Sequence, residues 1–186
     1  MNSPNATRIE PLARPLDGVA VVPGDKSISH RAIMFAAMAQ GTSRLTGVLD
    51  SADVRSTIAA MSALGAKVAL ERQIDGSLAG GITGWGSNGP SQPDEPIDCG
   101  NSGTTARLLM GILAPWNIRV EITGDDSLKT RPMRRIIAPL MKMGVRFEPE
   151  ACETLPVTIM GTPNLKAITY DSPMASAQLK TAVLLA

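Results

Sequence analysis

Lys26-Ser27-Ile28-Ser29-His30-Arg31-Ala32 opens an Ala-rich apolar run, and the chain uses the same device twice more. The second copy reads Asn101-Ser102-Gly103-Thr104-Thr105-Ala106-Arg107 and the third Ala175-Ser176-Ala177-Gln178-Leu179-Lys180, with Ser27, Ser102 and Ser176 spaced 75 and 74 residues apart. Recurrence at a fixed interval marks a repeated fold unit. A helix start exposes unpaired backbone N–H groups and the positive end of the macrodipole, so hydroxyls and cations gathered there favour an anion, phosphate above all. Three such starts predict a shared anionic site.

Outward from the first copy, residues 19–22 form a β-branched run closed by Pro23-Gly24, which predicts a strand, a turn and then a helix over 27–39. Residues 42–48 predict a strand. Asp53 is placed to cap a helix whose apolar positions Val54, Ile58, Met61 and Leu64 recur at helical spacing and which Gly65 ends; 67–70 return to strand. The second copy predicts a helix over 103–114, a strand over 118–123, a helix over 132–143 ended by Gly144, and a strand over 145–148. Thr46-Gly47 matches Thr123-Gly124 at 77 residues and Gly65 matches Gly144 at 79. Further strands are predicted over 77–82, 156–160 and 166–170, with a Gly/Pro-rich loop over 84–96. Pro139 interrupts the apolar pattern Met133, Ile136, Ile137, Leu140, which predicts a bend or an early break. The last residues, from Lys180 to Ala186, stop in a helical pattern without a polar cap, so the sequence reads as cut short.

The 186 residues, 44% of them hydrophobic, suffice for one or two domains that bury roughly 70% of the unfolded surface. A net charge of +1 and 3% aromatic residues exclude a broad nucleic-acid-binding field with stacking platforms. Cys99 and Cys152 are too few for a zinc cluster or a disulfide scaffold and read as reduced thiols. Asp50, Asp53, Asp125 and Asp126 fit no calcium loop, so no metal site is expected. Residues 1–15 carry no apolar signal region, and no apolar run reaches the roughly 18 residues of a membrane span. A soluble, cytoplasmic protein is expected.

Lys26 and Ser27 follow Gly24, but Gly18 lies one residue too far upstream and Asp25 intervenes, so the Walker A reading fails. What remains is a cation at a helix start with Arg31 one turn on, placing Lys26, Ser27 and Arg31 near one face. In the second copy, small residues from Gly100 to Thr105 let a ligand approach the backbone, and Arg131 is suited to bidentate binding of a carboxylate or phosphate. Pro132 favours the first position of the following helix, with Arg134 and Arg135 farther in. Ser176 and Gln178 offer a hydroxyl and an amide. Charge-assisted bonds worth roughly 1.5–3 kcal/mol each would let three or four of these groups hold a small anion at micromolar affinity. His30, the only histidine, has no carboxylate near it in sequence and reads as structural.

Gly24-Asp25-Lys26-Ser27-Ile28-Ser29-His30-Arg31 closely resembles the 5-enolpyruvylshikimate-3-phosphate (EPSP) synthase family. The likeness continues through the stretches 100–107, 125–133 and 176–180, and so covers almost all of the chain after residue 15. It implies a mixed α/β fold (α+β) of βαβαββ units in the inside-out barrel arrangement of enolpyruvyl transferases, with two units and the opening of a third here. On that reading residues 1–15 are an arm or strand of the other domain. Residues 16–186 are an incomplete substrate-binding domain, with repeats over about 16–96 and 97–170 and a third beginning at about 171.

The implied reaction moves the enolpyruvyl group of phosphoenolpyruvate to the 5-hydroxyl of shikimate 3-phosphate by addition and then elimination of phosphate, without metal or organic cofactor. Carried over by motif, Lys26, Ser27, Arg31, Ser176, Ala177 and Gln178 would hold shikimate 3-phosphate. Lys26, Gly103, Arg131 and Gln178 would hold phosphoenolpyruvate. The proton-transferring carboxylates would lie in a C-terminal half, the expected partner of this portion in a monomeric whole, with neither nucleic acid nor membrane involved. Ala177 stands where many family members have a second serine, which leaves only backbone to meet the phosphate there. Leu108 follows Arg107 where others have proline, at a position the family links to glyphosate tolerance. The alternatives are a UDP-sugar enolpyruvyl transferase of the same fold and a non-catalytic phosphate-binding module.

Overall fold

The computed structural model describes residues 17–186 together with Pro11, Arg14 and Pro15. The arm assigned to residues 1–15 otherwise lies outside the described residues. The first half contains α1 (Lys26–Met38), β1 (Gln40–Val48), α2 (Ala52–Ala63), β2 (Lys67–Arg72) and β3 (Leu78–Trp85). The second contains β4 (Ile97–Asp98), α3 (Gly103–Leu113), β5 (Arg119–Thr123), α4 (Asp126–Lys129), α5 (Arg134–Lys142), β6 (Arg146–Glu148) and β7 (Val157–Met160), followed by α6 (Ala177–Leu185).

One sheet is antiparallel in the order β1-β3-β2, and the other runs β4-β5-β7-β6, with β4 parallel to β5 and the rest antiparallel. β1, β3 and β2 thus hold the places that β5, β7 and β6 hold in the second sheet. Gly84 at the end of β3 and Gly161 just past β7, 77 residues apart, also do the same job. A Cβ on Gly84 would lie 2.3 Å from the Ala39 carbonyl oxygen, and one on Gly161 would lie 2.3 Å from those of Leu113 and Trp116. Each strand end can therefore lie directly under the last turn of the helix above it only if it is glycine.

Helices cover the sheets, and α3 is the centre of the molecule. It packs against α1, α2, α5 and α6, and ten of its eleven residues are buried. Leu108, Leu109, Met110, Ile112 and Leu113 are fully enclosed, each worth roughly 1.5–3 kcal/mol of burial. Gly111 lets α6 approach, because a Cβ there would lie 2.2 Å from the Ala182 carbonyl oxygen.

Several expectations need correction. Residues 19–22 are not a strand: Val19, Val21 and Val22 are exposed and pair with no strand, and a β-branched run without burial or pairing gains nothing from extension. Residues 166–170 are likewise irregular, with Lys166 N donating to the Met143 carbonyl rather than to a strand. Asp53 does not cap α2; Ser51 does, accepting from Val54 N at 3.4 Å. The helix expected from Pro132 starts at Arg134, because Arg131 closes α4, a one-turn helix too short for periodicity to reveal. α5 then runs through Pro139, its sixth residue, to Lys142 without breaking; the missing proline N–H forgoes a single hydrogen bond, that to the Arg135 carbonyl. β3 extends to Trp85 into the expected loop, and β4 was not anticipated.

Candidate functional site

The helix starts are built by side-chain caps. Ser102 Oγ accepts from Thr105 N and Ser176 Oγ from Leu179 N, both at 3.2 Å. In α1 the cap is Asp25, whose carboxylate accepts from Ile28 N at 2.8 Å. Ser27 therefore sits in the first turn, and the first cap-to-cap interval is 77 residues rather than 75. By cap position Lys26, Gly103 and Ala177 are equivalent, as are Ser27, Thr104 and Gln178.

Gly103, Arg131 and Gln178 come together, joined by Arg107, Arg135 and Thr104, to which the sequence analysis gave no ligand role. Arg107 Nη1 donates to Gln178 Oε1 at 3.0 Å and its Nη2 to the Pro132 carbonyl at 3.2 Å. Arg135 Nη2 reaches the same Gln178 oxygen at 3.3 Å, and Gln178 Nε2 donates to Thr104 Oγ1 at 2.9 Å. Arg131 bonds the Asn101 backbone and side-chain carbonyls, and Asn101 Nδ2 donates to Asp125 Oδ2 at 2.8 Å. A Cβ on Gly103 would lie 2.6 Å from Arg107 Nη1, so the glycine is what admits that guanidinium, while Arg131 Nη1 at 3.6 Å would be in ordinary contact.

None of Arg107, Arg131 and Arg135 makes an ion pair among the described residues, although Arg55, Arg72, Arg119 and Arg134 all do. Arg107 is 6% exposed, and burial, then the charges of Arg135 and Arg131, pull its guanidinium down to about 10. It stays protonated at neutral pH. The Asp125 carboxyl is held below its usual range first by the Asn101 side chain and then by the Leu128 amide. Three cations without an ion pair among the described residues, one of them within the field of Asp125, gather at a helix start and attract a dianion.

Lys26, Ser27 and Arg31 form a neighbouring group. Arg31 Nη1 donates to the Ser27 carbonyl at 3.1 Å, and its Nη2 to Thr181 Oγ1 at 2.8 Å, tying α1 to the second turn of α6. Lys26 Nζ is paired with Asp53 Oδ2 at 2.8 Å. Ser176 caps α6 and Ala177 is its first residue. The clefts lined by Met141, Val145 and Phe147 (about 490 Å³) and by Val21, Gly24 and Leu49 (about 430 Å³) include none of these side chains. No group of His, Cys, Asp and Glu suited to a metal occurs among the described residues.

Beneath the site runs a buried polar relay. His30 Nδ1 lies 2.6 Å from Thr57 Oγ1, Thr57 lies 2.7 Å from Thr105 Oγ1, and Thr105 donates to Ser102 Oγ at 2.7 Å. Since Thr105 spends its proton on Ser102, Thr57 donates to Thr105 and His30 carries its proton on Nδ1. His30 Nε2 is buried and unpartnered, and burial lowers the imidazole below its ordinary 6.5 despite the nearby Asp53 carboxylate. His30 is thus structural, joining α1 to α2 and α3. Cys99, pushed up to about 12 by burial, is an inert thiol.

Arg107 and Arg135 could have been found. An arginine in an otherwise apolar helical run is a buried cation in waiting, and Arg135 follows Arg131 by four residues. Thr57 and Thr105 carried no signal beyond ordinary helix polarity.

The geometry so far defines an α/β protein with a cationic site at converging helix starts. A family model described as EPSP synthase (3-phosphoshikimate 1-carboxyvinyltransferase) matches residues 12–186. The chain is 51% identical to the 3-phosphoshikimate 1-carboxyvinyltransferase of Paramagnetospirillum magneticum, over 94% of this chain and 38% of the relative. It is 46% identical to that of Streptococcus uberis, over 94% of this chain and 40% of the relative. A solved EPSP synthase from Acinetobacter baumannii superposes with a TM-score of 0.80 at 44% identity, over 90% of this chain and 38% of that one. The chain belongs to the EPSP synthase family. It spans about two fifths of the length of the curated relatives it matches. No described helix is long and apolar enough to cross a membrane.

Proposed function

We propose that this chain is the N-terminal portion of an enzyme that transfers the enolpyruvyl group of phosphoenolpyruvate to the 5-hydroxyl of shikimate 3-phosphate, in the cytoplasm and without a cofactor. The observation that carries the proposal is the set of three arginines, unpaired among the described residues, around Gly103 and Gln178 where α3 and α6 begin. Both substrates carry phosphate, and both would find cations and free helix-start amides here. Lys26, Ser27, Arg31, Ser176, Ala177 and Gln178 take shikimate 3-phosphate. Gly103 and Arg131, with Lys26 and Gln178 shared, take phosphoenolpyruvate. Their contribution is positional and electrostatic: fixed donors aimed at the phosphate stabilise the charge that grows as it leaves.

The matching strand orders and the glycines at 84 and 161 support a reading as two βαβαββ units with a third begun in α6. In the first, the opening strand is the one not formed. Proton transfer then falls to carboxylates of a C-terminal half, which completes a monomeric enzyme, with the arm over 1–15 belonging to that second domain. The test mixes the chain with the remaining portion of the P. magneticum relative and measures phosphate release. Release that needs both phosphorylated substrates and both polypeptides is expected, with no turnover of a UDP-sugar. A folded, associated pair without activity would overturn the proposal.

A further inference from the structure

Gln178 is held by two cations through one atom. Its Oε1 accepts from Arg107 Nη1 at 3.0 Å and from Arg135 Nη2 at 3.3 Å. A flipped amide would turn its NH₂ group onto two guanidinium groups, donor against donor, so the network leaves one orientation. The NH₂ then points to Thr104, donating to Oγ1 at 2.9 Å. Thr104 N sits one residue into α3 and has no acceptor among the described residues. The amide, the backbone N–H and the threonine hydroxyl therefore gather at one place, and no carboxylate there competes for them.

We infer that Arg107 and Arg135 are positioning residues that lock the Gln178 amide with only its donors facing the ligand, so that the site selects a fully ionised oxygen over a hydroxyl. This rests on the reading of the site as an anion site and deepens it. An unlocked glutamine would offer its carbonyl half the time and accept a proton-bearing group equally well. The two locked partners are also unlike in accessibility: Arg107 is buried, whereas Arg135 is half-buried and open to substitution.

The test uses the 186-residue chain, with side-chain amides followed by ¹⁵N NMR. In the wild type the Gln178 NH₂ should show a nuclear Overhauser contact to the Thr104 methyl and exchange about fivefold or more slower than the exposed Gln40 amide, the protection of one hydrogen bond. Arg135→Gln, which leaves the Arg107 bond in place, should lower the protection by about half or more, and Arg135→Lys should regain most of it. Protection of the Gln178 amide in Arg135→Gln equal to wild type overturns the inference. Gln178→Glu supplies a second arm: it should fold with unchanged or raised thermal stability yet lose binding of inorganic phosphate, and phosphate binding equal to wild type would overturn the locking. A wild-type chain whose Gln178 pattern is present but which no phosphate perturbs would uphold the locking and sink the anion-site reading beneath it.

Discussion

Thr57→Val removes the middle of the buried relay while conserving shape. The wild-type hydroxyl accepts from His30 Nδ1 at 2.6 Å and donates to Thr105 Oγ1 at 2.7 Å, with His30, Thr57 and Thr105 all fully buried. Because the imidazole proton sits on Nδ1, the variant leaves a buried N–H without an acceptor beside an Nε2 that already lacks a partner. An orphaned buried donor costs about 1–3 kcal/mol. Thr105 keeps its bond to Ser102 and loses only an incoming one, and the near-isosteric methyl leaves no cavity. The expected net loss is about 2 kcal/mol, or about 4–8 °C in Tm for a chain of this size. Urea unfolding should show a lower midpoint at unchanged slope. His30→Leu combined with Thr57→Val should cost at least about 1 kcal/mol less than the sum of the two single changes. A single-variant loss below about 0.5 kcal/mol, the range of ordinary surface substitutions, would refute the relay.

Three further outcomes follow from the same geometry. Burial depresses His30 below 6.5, so between the folded and unfolded values the unfolded chain holds more protons. Stability should therefore be full above pH 6.5 and fall as pH drops through and below it, and His30→Gln should remove that slope in urea titrations across pH 5–7.5. Gly111→Ala would drive a Cβ to 2.2 Å from the Ala182 backbone, forcing α6 away; despite up to about 1 kcal/mol of gained helix propensity, a net loss of about 1–3 kcal/mol and weakened phosphate binding are expected, checked by thermal melts and titration. Gly103→Ala presses on the end of a buried arginine, 2.6 Å away. It should lower phosphate affinity with little change in Tm, measured by calorimetric titration and melts on one sample.

The helical repeats were legible because their signals are local. Ser102 and Ser176 cap the helices they were read to open, and Gly65 and Gly144 take the positive φ that ends α2 and α5. What stayed hidden depends on partners distant in sequence. The run from Val19 to Val22 has strand composition but no strand to pair with, and two-residue β4 exists only because β5 lies alongside. Asp25 outcompeted Ser27 as the first cap, a choice between neighbours that composition does not settle. Among site residues, Gly103 lies against Arg107 and Arg131, and Gln178 reaches the group through Arg107. Arg107 and Arg135 join them across 71 and 43 residues, through a glutamine that only the docking of α6 on α3 brings between them.

The most direct measurement is the affinity of the chain for shikimate 3-phosphate set against unphosphorylated shikimate, by calorimetric titration of wild type, Lys26→Ala and Arg131→Ala. Converging helix starts that grip phosphate predict micromolar-range binding of the phosphorylated compound alone, weakened roughly tenfold or more by either substitution, the worth of one charge-assisted bond. Equal affinity for the two compounds, or binding indifferent to both substitutions, would contradict the account.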